Sequence, residues 1–204
     1  MNTTHLILIR HGQIQANVDK RWHGWTDSHL TELGIAQAER VAQRLHREHP
    51  DISAIYASPL RRTQQTARLI ADILELDVVE EPRIKEYGIG IWEGETFADL
   101  HSKHGFFKAV EADPHYAPEQ GESIAQVGTR VTQALQSFLD RHPGEKVVAV
   151  SHGAAMALAL AGLFHQDWYA WGQYYFMNTS VTEVRLGEPP ELIRFNCVAH
   201  LEGL

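Results

Sequence analysis

The chain of 204 residues has little cysteine, no long apolar run and few basic residues. Cys197 is its only cysteine, which excludes an internal disulfide and is typical of a reducing compartment. No apolar run approaches the roughly 18 residues of a membrane-spanning helix. No charged leader with a cleavage site precedes the first strand pattern, so a secretory signal is not expected. We therefore predict a cytoplasmic protein with no membrane partner.

The net charge and the spacing of the histidines also limit the possible partners and cofactors. A net charge of −8 argues against nucleic-acid partners, whereas the arginines of "SPLRRTQQTAR" (58–68) favour a specific anion. The 13 histidines suggest metal binding. However, the closely spaced pairs His46/His49 and His101/His104 lack the nearby glutamate of the metalloprotease arrangement. We predict no metal site.

Patterns typical of buried strands alternate with helical patterns along the chain. Strands are predicted at 5–9, 54–58 and 146–151, and helices over 31–49, after 60, over 122–141 and after 153. In the first helix, Thr31 is the expected N-cap and Ile35 is expected to face inward. Two alternating segments joined by "GEPP" predict a closing hairpin. The expected fold is an α/β three-layer αβα sandwich, with a mainly parallel central sheet and a C-terminal antiparallel hairpin. We expect residues 1–204 to form one domain, in which 95–120 is a helix-loop insertion covering the site.

Two strand ends carry the tripeptides Arg-His-Gly and Ser-His-Gly. Because ligands of parallel sheets bind beyond the carboxyl ends of the strands, His11 and His152 are expected to share one site. Arg10, Arg61 and Arg62 are suited to binding a phosphate, and the first turn of the helix after His152 offers it free N–H groups. A neutral imidazole can then attack phosphorus. The leaving oxygen needs a proton, for which the pattern offers three carboxyl groups without choosing among them. These are Glu86, Glu93 and Glu95.

Together these motifs resemble the histidine phosphatase superfamily, also called the phosphoglycerate mutase-like family. The matching segments are Arg-His-Gly with Asn17, "SPLRRTQQTA" with Arg62, "IKEYGIGIWEGET" with Glu86, and Ser-His-Gly with His152. The runs "GWTDSHLTELG", "GES" and "NTSVT" are also similar to family patterns. The resemblance extends over essentially the whole chain.

The resemblance implies a role for each matching residue. His11 would be the nucleophile that becomes phosphorylated, and Glu86 would be the general acid and base. The groups that would bind the phosphoryl oxygens are Arg10, Arg62, His152 and Asn17. Further substrate contacts are expected from Trp22, His23, Gly24 and Gly153. No metal or organic cofactor is expected, because the arginines supply the positive charge.

Three departures from the mutase pattern favour a phosphatase that acts on small-molecule phosphate esters. Ile14 replaces a small hydroxyl residue, His23 replaces a small residue before "GW", and 95–120 contains no arginine. The runs "GIWEGET" and "PHYAPEQGES" resemble the broad-specificity branch. An α-ribazole-5'-phosphate phosphatase is the first alternative, and a cofactor-dependent phosphoglycerate mutase is the second.

Two further hypotheses stay open at this point. An inactive phosphate-binding module that holds a phosphoprotein would have lost catalytic residues, and none is missing here. A protein phosphohistidine phosphatase is usually shorter. For the aromatic run "DWYAWGQYYF" (167–176) we predict ordinary packing of a helix end, with a wall for the leaving group or a homodimer contact as alternatives.

Overall fold

The computed structural model describes residues 3–204 and contains a six-stranded sheet. The strands are β1 (Thr4–Arg10), β2 (Ile52–Ala57), β3 (Val78–Glu80), β4 (Lys146–Ser151), β5 (Val181–Leu186) and β6 (Glu191–Cys197). Their order is β3-β2-β4-β1-β5-β6. The pairs β1–β4, β2–β4 and β2–β3 are parallel, whereas β5 runs antiparallel to both β1 and β6. The mainly parallel sheet with a C-terminal hairpin is confirmed.

Within residues 3–204, seven α-helices surround the sheet, and the four that were predicted individually begin close to the expected positions. They are α1 (Gln15–Val18), α2 (Glu32–Glu48), α3 (Arg61–Leu74), α4 (Phe97–Ser102), α5 (Phe106–Ala112), α6 (Ile124–Arg141) and α7 (Gly153–His165). Thr31 caps α2, since its hydroxyl accepts a hydrogen bond from the N–H of Gly34 at 3.0 Å. Ser123 and Gln126 form a reciprocal capping box at the start of α6. Polar caps therefore fix where both long helices begin.

Strand β1 lies in the middle of the sheet and is buried on both faces. Leu6 and Leu8 pack on the side of α6 and α7, whereas Ile7 and Ile9 pack on the side of α2 and α3. Each of these four side chains is at most 1% exposed. Alternate side chains of a strand point to opposite faces, so one apolar run contributes to two cores. The three-layer sandwich is confirmed.

Two local predictions were wrong. Strand β3 was missed because three residues are too few to show a strand pattern. Ile35, expected to face inward from α2, is 39% exposed. The start of α2 packs against β1 through two glycines. A Cβ on Gly12 would lie 2.3 Å from the carbonyl oxygen of Gly34, so no larger residue fits at Gly12. The backbones of the two glycines meet where β1 leaves the sheet.

The parallel pairing of β1 with β4 places both tripeptides at the carboxyl end of the sheet. Arg10 is level with Ser151, and the N–H of His11 donates to the carbonyl of Ser151 at 3.1 Å. His11 and His152 therefore leave the sheet side by side. Among the helices of residues 3–204, none is long and apolar enough to cross a membrane.

Candidate active site

The two histidines lie together at the carboxyl end of the sheet. The centroids of their rings are 5.3 Å apart. Nδ1 of His11 lies 2.7 Å from the carbonyl oxygen of Gly12. A carbonyl can only accept a hydrogen bond, so Nδ1 carries the proton and Nε2 of the neutral ring keeps a free lone pair. His11 lines a cavity and presents a nucleophilic nitrogen to it.

Burial and neighbouring cations keep His11 neutral. Its side chain is 3% exposed. Desolvation, followed by the positive charges of Arg62 and Arg10, lowers the pKa of His11 well below its ordinary value of 6.5. Near neutral pH the imidazole is therefore unprotonated, which is the form that can attack phosphorus.

The guanidinium of Arg62 is fully buried and held from two sides. On one side it donates to the carbonyl oxygens of His23 at 3.1 Å, Gly24 at 2.7 Å and Thr26 at 2.9 Å. On the other side its Nε donates to Nδ1 of His152 at 3.2 Å. Nδ1 of His152 is thus an acceptor, and its Nε2 carries the proton. Arg62 and His152 form a rigid layer behind His11.

Arg10 brings a guanidinium to the cavity wall. Its Nη1 donates to the carbonyl of Phe176 at 2.5 Å, which fixes the side chain. Its Nε is buried and has no hydrogen-bond partner among residues 3–204. A Cβ on Gly153 would lie 3.7 Å from this Nε, at van der Waals distance, so the start of α7 packs closely on the guanidinium. Arg10 therefore brings a fixed positive charge to the cavity wall.

Glu86 occupies the start of α7. Its Oε1 accepts from the N–H groups of Tyr87 at 2.8 Å and Ala155 at 2.9 Å, and Oε2 accepts from Ala154 at 3.3 Å. We had expected the first turn of α7 to offer its free N–H groups to the phosphate. That prediction was wrong for Ala154 and Ala155, because the carboxylate of Glu86 takes them. The helix N-terminus instead holds the acid in the cavity wall.

The segment that carries Glu86 is fixed by its backbone. The Glu86 carbonyl accepts from Nη2 of Arg130 at 2.8 Å and from Nε1 of Trp25 at 3.0 Å. Trp25 does not line the cavity, and the ammonium group of Lys85 lies over its ring. Of the three candidate carboxyl groups, Glu86 lines the cavity, whereas Glu93 and Glu95 do not.

The cavity has a volume of about 280 Å³ and is mostly apolar beyond His11. Besides Arg10, His11, Glu86 and Gly153, its wall contains Ile14, Asn17, Arg21, Trp22, His23, Phe97, Ala154, Ala157, Trp171, Gly172, Tyr174, Tyr175 and Phe176. Part of 167–176 packs as expected: the indole of Trp168 lies against Gly128 and Gly162, and the buried Phe176 belongs to the core. Packing does not account for the whole run, because five of its residues also line the cavity. The C-terminal half of the run is a wall of the cavity.

Asn17 is held near His11 by a residue that the sequence did not single out. Nδ2 of Asn178 donates to the carbonyl of His11 at 2.9 Å and to Oδ1 of Asn17 at 3.2 Å. Oδ1 of Asn17 also accepts from the N–H of Ile14 at 3.1 Å. The amide nitrogen of Asn17 is thereby left as the group that can reach a ligand. The run "NTSVT", which contains Asn178, was the available signal.

Three predicted site residues do not lie on the cavity wall. Arg62 and His152 are behind His11, as described above. Gly24 lies in the loop that holds Arg62, and a Cβ there would be 2.3 Å from both a carboxylate oxygen of Glu93 and the carbonyl of Tyr87. Its position is one of close packing. Among residues 3–204 there is no group of three or more His, Cys, Asp or Glu side chains placed to hold a metal ion.

Comparisons with known proteins agree with this geometry. The family model of the histidine phosphatase superfamily (branch 1) matches residues 6–197. Phosphoserine phosphatase 1 of Hydrogenobacter thermophilus is 36% identical over 200 residues, covering 96% of this chain and 93% of that protein. A probable phosphoglycerate mutase, GpmB, of Yersinia pestis is 36% identical over 187 residues, covering 91% and 86%.

A solved structure extends the likeness to three dimensions. The phosphoserine phosphatase of Entamoeba histolytica, in complex with phosphoserine, superimposes with a TM-score of 0.88 at 32% identity. The match covers 97% of this chain and 99% of that one. A family match over nearly the full length thus accompanies a cavity with a neutral histidine, two arginines and a carboxylate. The chain belongs to the histidine phosphatase superfamily, branch 1, and is a phosphatase-type hydrolase.

Proposed function

We propose that this protein hydrolyses phosphate monoesters of small molecules through a phosphohistidine at His11, without a metal ion. The observation that carries the proposal is the His11 ring, whose Nδ1 proton is held by a carbonyl and which lines one cavity together with Arg10 and Glu86. Excess chelator should leave the turnover of p-nitrophenyl phosphate unchanged. Loss of turnover that is restored by a divalent ion would contradict the metal-free mechanism.

The reaction would proceed in two steps at one phosphorus atom. Nε2 of His11 forms a bond to phosphorus while the bond to the leaving oxygen breaks, and Glu86 gives that oxygen a proton. Water then attacks the phosphohistidine, gives its proton to Glu86, and releases orthophosphate as the nitrogen–phosphorus bond breaks. Arg10 and Arg62 neutralise the oxygens of the phosphoryl group in both steps.

The lowered pKa of His11 predicts its behaviour in a pH titration. A base whose pKa lies below 6.5 stays neutral as the pH falls through that value and gains its proton only at lower pH. In NMR spectra of the ligand-free protein, the His11 ring signals should not shift between about pH 6 and 8. A His11→Gln variant assigns the signals. A midpoint near 6.5 would show that the ring is open to water.

We further propose broad specificity, because the leaving-group side of the cavity is a surface of aromatic rings. Trp22, Phe97, Trp171 and Tyr175 present apolar faces that contact many groups without demanding a particular hydrogen bond. Tyr175 is 71% exposed, so this wall borders the solvent. Such a pocket discriminates weakly among apolar leaving groups.

One observation favours a second candidate, a phosphate ester that carries a carboxylate, as the names of two relatives suggest. Arg21, which we did not single out, lines the cavity with its Nη1 bonded to the carbonyl of Gly94 at 2.7 Å. His23 lines it too, but burial and then the charge of Arg62 lower the pKa of His23. Arg21 is therefore the cation placed to bind a carboxylate there.

Two variants separate these candidates. With broad specificity, Tyr175→Ala should lower kcat/KM for naphthyl phosphate about tenfold, since a large ring contact is lost, while Arg21→Ala changes it little. Steady-state kinetics on naphthyl phosphate and phosphoserine measure both effects. If Arg21→Ala removes phosphoserine hydrolysis selectively, and phosphoserine is the better substrate, the second candidate is correct.

Assays with other substrates test the remaining alternatives. Conversion of 3-phosphoglycerate to its 2-isomer would indicate a mutase, and hydrolysis restricted to α-ribazole phosphate would indicate that narrow enzyme. Binding of phosphate without turnover of any ester would indicate a binding module. The cover formed by 95–120, the homodimer and the cytoplasmic location stay predictions. Of 95–120, Phe97 reaches the cavity wall.

A further inference from the structure

The loop of residues 23–26 is hydrogen-bonded on both of its sides. Its carbonyl groups bind the guanidinium of Arg62, as described above. Its N–H groups turn the other way, toward the carboxylate of Glu93. The distances are 2.9 Å from Gly24, 3.0 Å from Trp25 and 3.1 Å from Thr26. The loop therefore connects a carboxylate with the buried arginine.

The carboxylate of Glu93 is fully engaged at this position. Oε2 also accepts from the hydroxyl of Thr26 at 2.8 Å, and Oε1 also accepts from the N–H of Ile89 at 3.2 Å. Hydrogen bonds to an ionised carboxylate are stronger than those between neutral groups. Glu93 does not line the cavity, so it cannot be the acid that protonates a leaving group. Its contacts are those of a group that fixes a loop.

The pKa of Arg62 also links this arginine to Glu93. Burial lowers the pKa of Arg62 to about 10, and the negative charges of Glu86 and Glu93 oppose this change. Glu93 thus stabilises the charged form of an arginine that its side chain does not contact directly. The loop and Glu93 are closely packed at Gly24, because a Cβ there would lie 2.3 Å from an oxygen of Glu93.

We propose that Glu93 is a positioning residue for phosphate binding, since its carboxylate fixes the loop whose carbonyl groups hold the charged guanidinium of Arg62 behind His11. Glu93 acts through the backbone of residues 23–26 and does not contact the substrate. The inference deepens the proposed function, because it assigns a residue that sets the affinity of the same site for the phosphoryl group.

The test measures the binding of inorganic phosphate by calorimetry in Glu93→Ala, Glu93→Gln and a control, Glu95→Ala. Glu95 is a close neighbour whose carboxylate, within residues 3–204, makes only a 3.8 Å contact with Nε2 of His104. Glu93→Ala should weaken binding about tenfold, because a displaced guanidinium brings less positive charge to the phosphate. Glu93→Gln keeps one acceptor oxygen and should lie between. Glu95→Ala should bind like the wild type.

A merely structural role would lower the melting temperature without acting through Arg62. The Glu93→Ala change is therefore repeated in an Arg62→Ala background, where its effect on phosphate affinity should disappear. An equal effect in both backgrounds would overturn the proposal, as would unchanged affinity in a folded Glu93→Ala. If Glu93→Ala does not fold, Glu93→Gln decides: a threefold or greater loss supports the proposal and a smaller one overturns it.

This experiment does not depend on turnover. If the wild type binds phosphate but hydrolyses no ester, the proposed function fails, whereas the role of Glu93 can still be measured. If hydrolysis is normal and the Glu93 variants bind phosphate like the wild type, only the role of Glu93 fails.

Discussion

Replacing His11 with alanine should lower the turnover of p-nitrophenyl phosphate at least about a thousandfold, because no other group can form the covalent intermediate. Neighbouring His152 cannot substitute for it. Its Nδ1 accepts from Arg62, and its Nε2 bonds to the hydroxyl of Ser58 at 2.8 Å. Phosphate release by the wild type and by His11→Ala is the measurement.

A second observation identifies the intermediate itself. Wild-type protein quenched during turnover should carry one acid-labile phosphate, and His11→Ala should carry none while still binding phosphate through Arg10 and Arg62. A melting curve like that of the wild type would show that the variant is folded. Turnover within about tenfold of the wild type in a folded His11→Ala would mean that the nucleophile is another residue.

Replacing Glu86 with glutamine should slow hydrolysis by about 100- to 10,000-fold for an alkyl phosphate and much less for p-nitrophenyl phosphate. An alkoxide needs a proton as it leaves, whereas a nitrophenolate leaves without one. Glutamine nearly preserves the shape of the side chain, and its oxygen can still accept from the N–H groups of Tyr87 and Ala155. The slower hydrolysis should therefore result from the loss of proton transfer and not from a change in the shape of the site.

The ratio of the two substrates is the decisive quantity. Kinetics for glycerol phosphate and p-nitrophenyl phosphate in Glu86→Gln should show a widened gap, and Glu95→Gln should show the wild-type ratio. An equal loss for both substrates would show that Glu86 positions the phosphate instead of donating a proton. No loss would return the role of the acid to an unidentified group.

Much of the fold was predictable from local patterns. The apolar run before Arg10 predicted a strand buried on both faces, and β1 indeed contributes to two cores. Thr31 predicted the start of α2 through the chemistry of its hydroxyl. Strand β3 escaped because its three residues are held by pairing with β2, and such pairing leaves no periodic pattern in the chain.

The site was predictable only in part, for a related reason. The sequence predicted that His11, His152 and the arginines lie together, because the carboxyl ends of parallel strands lie at the same end of a sheet. It did not show that the first N–H groups of α7 belong to Glu86, or that the rings of 167–176 line the cavity. Those assignments depend on segments far apart in the chain.

The sequence by itself thus determined the chemistry: a histidine nucleophile candidate, phosphate-binding arginines and three candidate acids. The tertiary structure decided which carboxylate lies at the cavity and which does not. Glu86 and Glu93 both accept backbone N–H groups, but Glu86 meets α7 at the cavity wall and Glu93 meets the loop behind Arg62. Two glutamates seven positions apart look alike in sequence, because a carboxylate acquires its role from the donors and the cavity that the folded chain places around it.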